Sequence, residues 1–160
     1  MTTPSRISQA YLVVADDTPE FEVALRYAAR LAKNRDASLF ILKVIEIENF
    51  QHWGTIEEQL KKELRKKAET EMWNICRKVN ELNGVIPTIL IEEGIPQEAL
   101  IHVIKDLPMV KLLILGGKAD GNNPGPLVSH FAGKGLSKLE IPLVIIPSNI
   151  QPGMISPLIT

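Results

Sequence analysis

The stretch YLVVADDTPEFEVALRYAARLA, residues 11–32, decides how the chain is read. Residues 11–15 form a short, unbroken apolar run, which suits a strand covered on both faces. Asp16, Asp17, Thr18 and Pro19 end that run in a turn whose last members open a helix. Thr18 takes the N-cap, and Pro19, with no amide hydrogen to leave unpaired, takes the first helical position. Leu25, Ala28, Leu31 and Ala32 then recur on one helical face until Asn34, Arg35 and Asp36 break the period. The reading is strand, tight turn, helix.

The same alternation continues outward. Residues 39–45 (LFILKVI) read as a second strand, mostly apolar. After a segment without clear period, residues 46–54, Thr55 and Glu58 have the capping-box spacing that opens a long helix. Its stripe is Ile56, Leu60, Leu64, Ala68, Met72, Ile75, Val79 and Leu82, and Asn83-Gly84 closes it. Lys61, Lys62, Arg65, Lys66 and Lys67 fall mostly outside the stripe. Glu57, Glu58, Glu63, Glu69 and Glu71 interleave with them, so the basic run reads as a solvated face and not as an RNA or membrane patch. A third strand is expected over residues 85–91. A third helix follows over Pro96–Asp106, with Ala99, Leu100, Val103 and Ile104 inward, and a fourth strand over 111–115. A Gly/Asn/Pro-rich loop covers 116–126, a helix 127–138 and a fifth strand 142–147 (PLVIIP). The tail, 148–160, carries Pro152, Gly153 and Pro157 and reads as irregular.

Strands alternating with helices predict an α/β fold: an open parallel sheet with helices on both faces, carrying its ligand site at the carboxyl ends of the strands. The turn at Asp16 and the loop after Gly116 are therefore the candidate site. A chain of 160 residues suits one domain, here residues 9–147, with an extension at 1–8 and the tail at 148–160. Lys and Arg total 18 against 19 Asp and Glu, so no basic field recruits nucleic acid or anionic lipid. Cys76 is the only cysteine, which excludes an intrachain disulfide and fits a reducing compartment. No apolar run approaches a membrane span and the first ten residues lack a signal-peptide pattern, so the expected location is cytoplasmic, with no membrane partner.

Gly116, Gly117, Gly121 and Gly125 loosely match a loop that cradles phosphate, where glycine lets backbone amides reach an anion at a helix start. The competing reading is a flexible surface turn. No Walker A loop is present, Lys118 lying too early for it, and strand one lacks the GxGxxG fingerprint. His52, His102 and His130 have no i, i+4 pair for a helical zinc site. His102 reads as packed in the third helix, and His52 with Trp53 as cover for the sheet edge. His130 would set a titratable charge beside the loop, against the plainer reading of a helix-start residue. Ser129 and His130 are adjacent, which aims their side chains apart and argues against a nucleophile–base pair, and no GxSxG elbow occurs. Cys76 reads as a small core residue. Asp16-Asp17 also admits a receiver-like phosphoacceptor domain, but the third strand runs into Glu92-Glu93 where such a domain needs an aspartate.

Taken together, residues 11–32, EEGIPQEALI (92–101), LLILGGKADG (112–121) and EIPLVIIP (140–147) resemble the universal stress protein family across roughly residues 9–147. Asp16 with Ala24-Leu25, the Gly94, Pro96 and Glu98 element, and Pro142-Leu143-Val144 carry the likeness. The resemblance implies five parallel strands in the order 3-2-1-4-5, as in adenine nucleotide alpha hydrolase-like folds. It also implies AMP, ADP or ATP as ligand at the ends of strands 1 and 4. By resemblance the adenosine half rests on Ala15, Asp16, the backbone at Val44, Leu115 and Gly116. The phosphate half falls to Lys118, Ala119, Ser129 and His130. A homodimer through Leu143, Val144, Ile145 and Ile146 is implied as well, since an uncharged apolar edge strand favours a partner.

ATP-binding members of that family share, after the fourth strand, a Gly, two residues, a second Gly, nine residues, then Gly with Ser or Thr. Counted from Gly116, this chain has Ala119 at the second Gly and Ser129-His130 at the last pair. Ser129 and His130 add side chains where phosphate would meet backbone, and Pro124 and Pro126 lack amide donors, all of which oppose triphosphate binding in the family's pose. Two readings follow: a stress-response protein that senses adenine nucleotides, with hydrolysis slow or absent, or a nucleotide-independent dimeric interaction module of the same fold.

Overall fold

A computed structural model describes residues 8–46 and 55–154. The element order is β1 (Ala10–Ala15), α1 (Pro19–Arg35), β2 (Ser38–Ile45), α2 (Thr55–Asn83), β3 (Thr88–Glu93), α3 (Pro96–Asp106), β4 (Val110–Gly117), α4 (Pro126–Phe131), a short 3₁₀ turn (Leu136–Lys138) and β5 (Leu143–Pro147). The five strands form one sheet in the order β3-β2-β1-β4-β5, every pair parallel. The extension before Ser8, the expected Thr55 hydroxyl cap, His52 and Trp53, and the end of the tail beyond Met154 lie outside the described residues.

β1 shows why its run is apolar without interruption. Successive side chains of a strand point to opposite faces. Tyr11, Val13 and Ala15 enter a core with α1 and α2, while Ala10, Leu12 and Val14 enter a second core with α3 and α4. All six are buried. Pairing with β2 and β4 occupies both edges of β1, and the helices on either side of the sheet leave it no solvent face.

α1 begins at Pro19 after Thr18 as expected, but the Thr18 side chain does not cap the helix. Its hydroxyl and its amide both donate to Asp16 Oδ1, so Thr18 closes the preceding turn instead. Asp36, with φ at +52°, ends the helix in the left-handed conformation and donates its amide back to the last turn.

The α2 stripe is buried at Ala68, Met72, Cys76 and Val79, while Ile56 and Leu82 at its ends are exposed. The reason is length. A helix of 29 residues spans about 44 Å at ~1.5 Å per residue, whereas an 8-residue strand reaches about 26 Å. Both ends overhang the sheet. The basic face of α2 is satisfied largely within the helix, by Lys61–Glu57 at 3.2 Å, Arg65–Glu69 at 3.6 Å and Lys67–Glu71 at 4.0 Å.

Three expectations are corrected. β3 starts at Thr88, past the half-exposed Val85, and runs to Glu93, where its pairing with β2 ends. The helix expected over 127–138 stops at Phe131, because Gly133 and Gly135 disfavour helix and the chain turns so that the Gly135 amide donates to the His130 carbonyl at 2.8 Å. His102 is not packed: its ring is exposed and pairs with Asp106 at 3.0 Å, one helical turn on. The sheet order also removes the receiver-like reading, since β3 is an edge strand and Glu92-Glu93 cannot face Asp16-Asp17 across β2.

Candidate functional site

β1 sits at the centre of the sheet, with β2 continuing one way and β4 the other. The connections leaving β1 and β4 run to opposite faces of the sheet, and the crevice between them is where open α/β sheets hold ligands. Beside that crevice, over the carboxyl ends of β1 and β2, opens a cleft of about 530 Å³, within the usual range for small-molecule sites. Ala15 at the end of β1, with Asp16 and Asp17 just after it, forms its base beside Lys43 and Val44 of β2 and Glu46 just past that strand. Leu64, Lys67, Ala68 and Glu71 of α2 form one wall, and Pro96-Gln97 of α3 with Pro126-Leu127 of α4 form the other. A smaller hollow of about 30 Å³ adjoins it, lined by Thr18, Leu115, Gly116, Pro124 and Gly125 and sharing Asp16, Pro126 and Leu127 with the cleft.

Of the residues singled out from the sequence, Ala15, Asp16 and Val44 line the cleft, and Leu115 and Gly116 line the hollow beside it. Lys118, Ala119, Ser129 and His130 line neither. His130 turns away onto the chain that follows α4. Its imidazole rests against Gly135, where any Cβ would overlap the ring, and meets Phe131 edge-on at 4.8 Å between ring centres. Here His130 is a packing residue.

The loop between β4 and α4 is held by two bonds of its own and one to Ser148, just past β5. The Lys118 amide donates to the Pro124 carbonyl, the Ala119 amide to Ser148 Oγ and the Gly125 amide to Asn123 Oδ1, each at 3.0 Å. Gly125 adopts φ +114° as α4 begins, a conformation glycine tolerates and other residues resist.

Sequence reasoning passed over Lys43. It lies 26 residues from Asp17, yet its ammonium reaches Asp17 at 3.4 Å and Glu71 at 3.8 Å, and its side chain is only 16% exposed. A signal was available: Lys43 is the one charged residue in the LFILKVI strand, where a charge persists only if partnered. Glu71 and Lys67 were absorbed into the charged face of α2, and only the packing of that helix turns them toward the cleft. Among the described residues no group of three His, Cys, Asp or Glu side chains is placed to hold a metal, and no helix is long and apolar enough to cross a membrane.

Sheet order and cleft define an α/β protein of the adenine nucleotide alpha hydrolase-like fold. The family model for the universal stress protein family matches residues 9–147, and the chain belongs to that family. Among curated proteins none matches it. Among solved structures, universal stress protein UspA from Lactobacillus plantarum is 19% identical, with a TM-score of 0.71 over 86% of this chain and 97% of that one. A universal stress protein in complex with cAMP is 18% identical, with a TM-score of 0.57 over 86% and 96%. The universal stress protein from Archaeoglobus fulgidus in complex with dAMP is 16% identical, with a TM-score of 0.55 over 88% and 98%. At these identities the likeness establishes the fold.

Proposed function

We propose that this protein is a cytoplasmic stress-response protein that binds an adenine nucleoside or nucleotide in the cleft at the ends of β1 and β2, with no catalytic residue assigned. The observation that carries this reading is the cleft itself: about 530 Å³ over the carboxyl ends of β1 and β2, beside the topological switch point, with Asp16 held in a defined turn by Thr18. In support, two proteins of the same fold are described in complex with cAMP and with dAMP. In this reading Ala15 and Val44 would offer main chain and apolar surface to a base, and the Asp16 carboxylate would accept hydrogen bonds from a ribose. Mass spectrometry of small molecules released from the purified protein tests it. An adenine compound at near-stoichiometric yield is the expected result, and a protein that neither retains nor binds any adenine compound on titration would remove the reading.

A second reading, a dimeric interaction module, draws on β5. That strand ends the sheet, and Ile145 on it is 38% exposed among apolar neighbours. An isologous contact between two such edges would cover it. The two readings are compatible, and light scattering tests the second independently of any ligand.

A further inference from the structure

The polar groups around the cleft are unequal in sign, and their pairing bears on which ligand fits. Among the described residues, four carboxylates line it, from Asp16, Asp17, Glu46 and Glu71, against the two ammonium groups of Lys43 and Lys67. Neither cation stands apart from an anion: Lys43 reaches both Asp17 and Glu71, and Lys67 reaches Glu71 at 4.0 Å. Five positions of the β4–α4 segment offer no free amide to an anion. The amides of Lys118, Ala119 and Gly125 are engaged within the protein, and Pro124 and Pro126 have none to offer. A polyphosphate entering here would meet excess negative charge and would have to share each lysine with a carboxylate that already holds it, Lys43 largely buried and Lys67 exposed.

Resting on the nucleotide reading of the cleft, we propose that the site selects against charge: it takes an adenine nucleoside bearing at most one negative charge in preference to ADP and ATP. Lys43 is then a specificity-determining residue. Clamped between Asp17 and Glu71, it neutralises the base of the cleft without presenting a free cation to phosphate. A neutral ribose and base lose nothing to these carboxylates, of which only Asp16 is assigned a ribose hydroxyl. Each added phosphate is penalised. Because Asp17 is 88% exposed, water and salt screen the effect to a modest size.

Calorimetric titration of the full chain with adenosine, cAMP, AMP, ADP and ATP, with and without magnesium, tests this. Affinity should fall as ligand charge rises, with adenosine ahead of ATP by about tenfold, the effect of one or two screened charge contacts. The gap should narrow in about 0.5 M salt, where the screening length drops to ~4 Å. The double variant Asp17→Asn/Glu71→Gln should strengthen ATP about fivefold while leaving adenosine within about twofold. ATP binding tightest in either magnesium condition, or a gap indifferent to salt, would overturn the inference while leaving the cleft as a nucleotide site. If none of the five ligands binds, the site assignment itself falls and this inference with it.

Discussion

Gly116, on β4, lies so close to the main-chain carbonyl of Glu20 in the first turn of α1 that no Cβ fits between them. The contact seats the start of α1 against the end of β4, and with it the turn that carries Asp16. Gly116 therefore has a packing role besides its place in the wall of the hollow. Gly116→Ala should destabilise the fold by about 1–3 kcal/mol, the usual cost of forcing an atom into a filled space. Urea unfolding checks this, with a lower midpoint at unchanged slope as the expected result.

Asp16 is the side chain on which adenosine recognition is proposed to turn. Asp16→Ala should weaken a bound nucleoside by about 1–3 kcal/mol, the range for a hydrogen bond to a charged group. Thr18→Ala, which removes the hydroxyl that orients the carboxylate, should produce a smaller loss. Calorimetry showing equal affinity for wild type and Asp16→Ala would take Asp16 out of the site.

The edge strand offers a test of the proposed dimer. Ile146 is 4% exposed and Val144 packs on the α1 side, so a lysine at either would disturb the core as well as any interface. Ile145 is the apolar β5 side chain open to solvent. Ile145→Lys should leave the fold intact and give a monomer by light scattering where the unaltered protein gives a dimer. A monomeric wild type at micromolar concentration would end the β5 proposal.

Cys76 sits on the buried face of α2, and burial pushes its thiol pKa upward. A raised pKa means less thiolate at a given pH, and thiolate is the reactive form. Modification by a disulfide reagent near neutral pH should run at least ~10-fold slower in the folded protein than after denaturation, and should quicken as pH rises. Equal rates would show that the helix opens locally.

Much of the architecture was legible from local pattern. The apolar run of residues 11–15 and the Ala99, Leu100, Val103, Ile104 face depend on neighbours a few positions away, and burial matches them; the helix start at Pro19 was legible too, though Thr18 does not cap it with its side chain. The strand order did not come from periodicity; it came from family resemblance, because pairing between strands leaves no mark within either one. The break after Phe131 was missed since helical spacing continued through Gly133 and Gly135.

By itself the sequence determined the elements, their alternation and the turn at Asp16, since backbone propensity, capping and side-chain period act over a handful of residues. Only the tertiary structure decided that Lys43 stands between Asp17 and Glu71, that His130 packs on Gly135 away from the cleft, and that the Ala119 amide bonds to Ser148. Those relationships join residues from separate elements. Their energies depend on distances and burial that exist only once the helices have closed over the sheet.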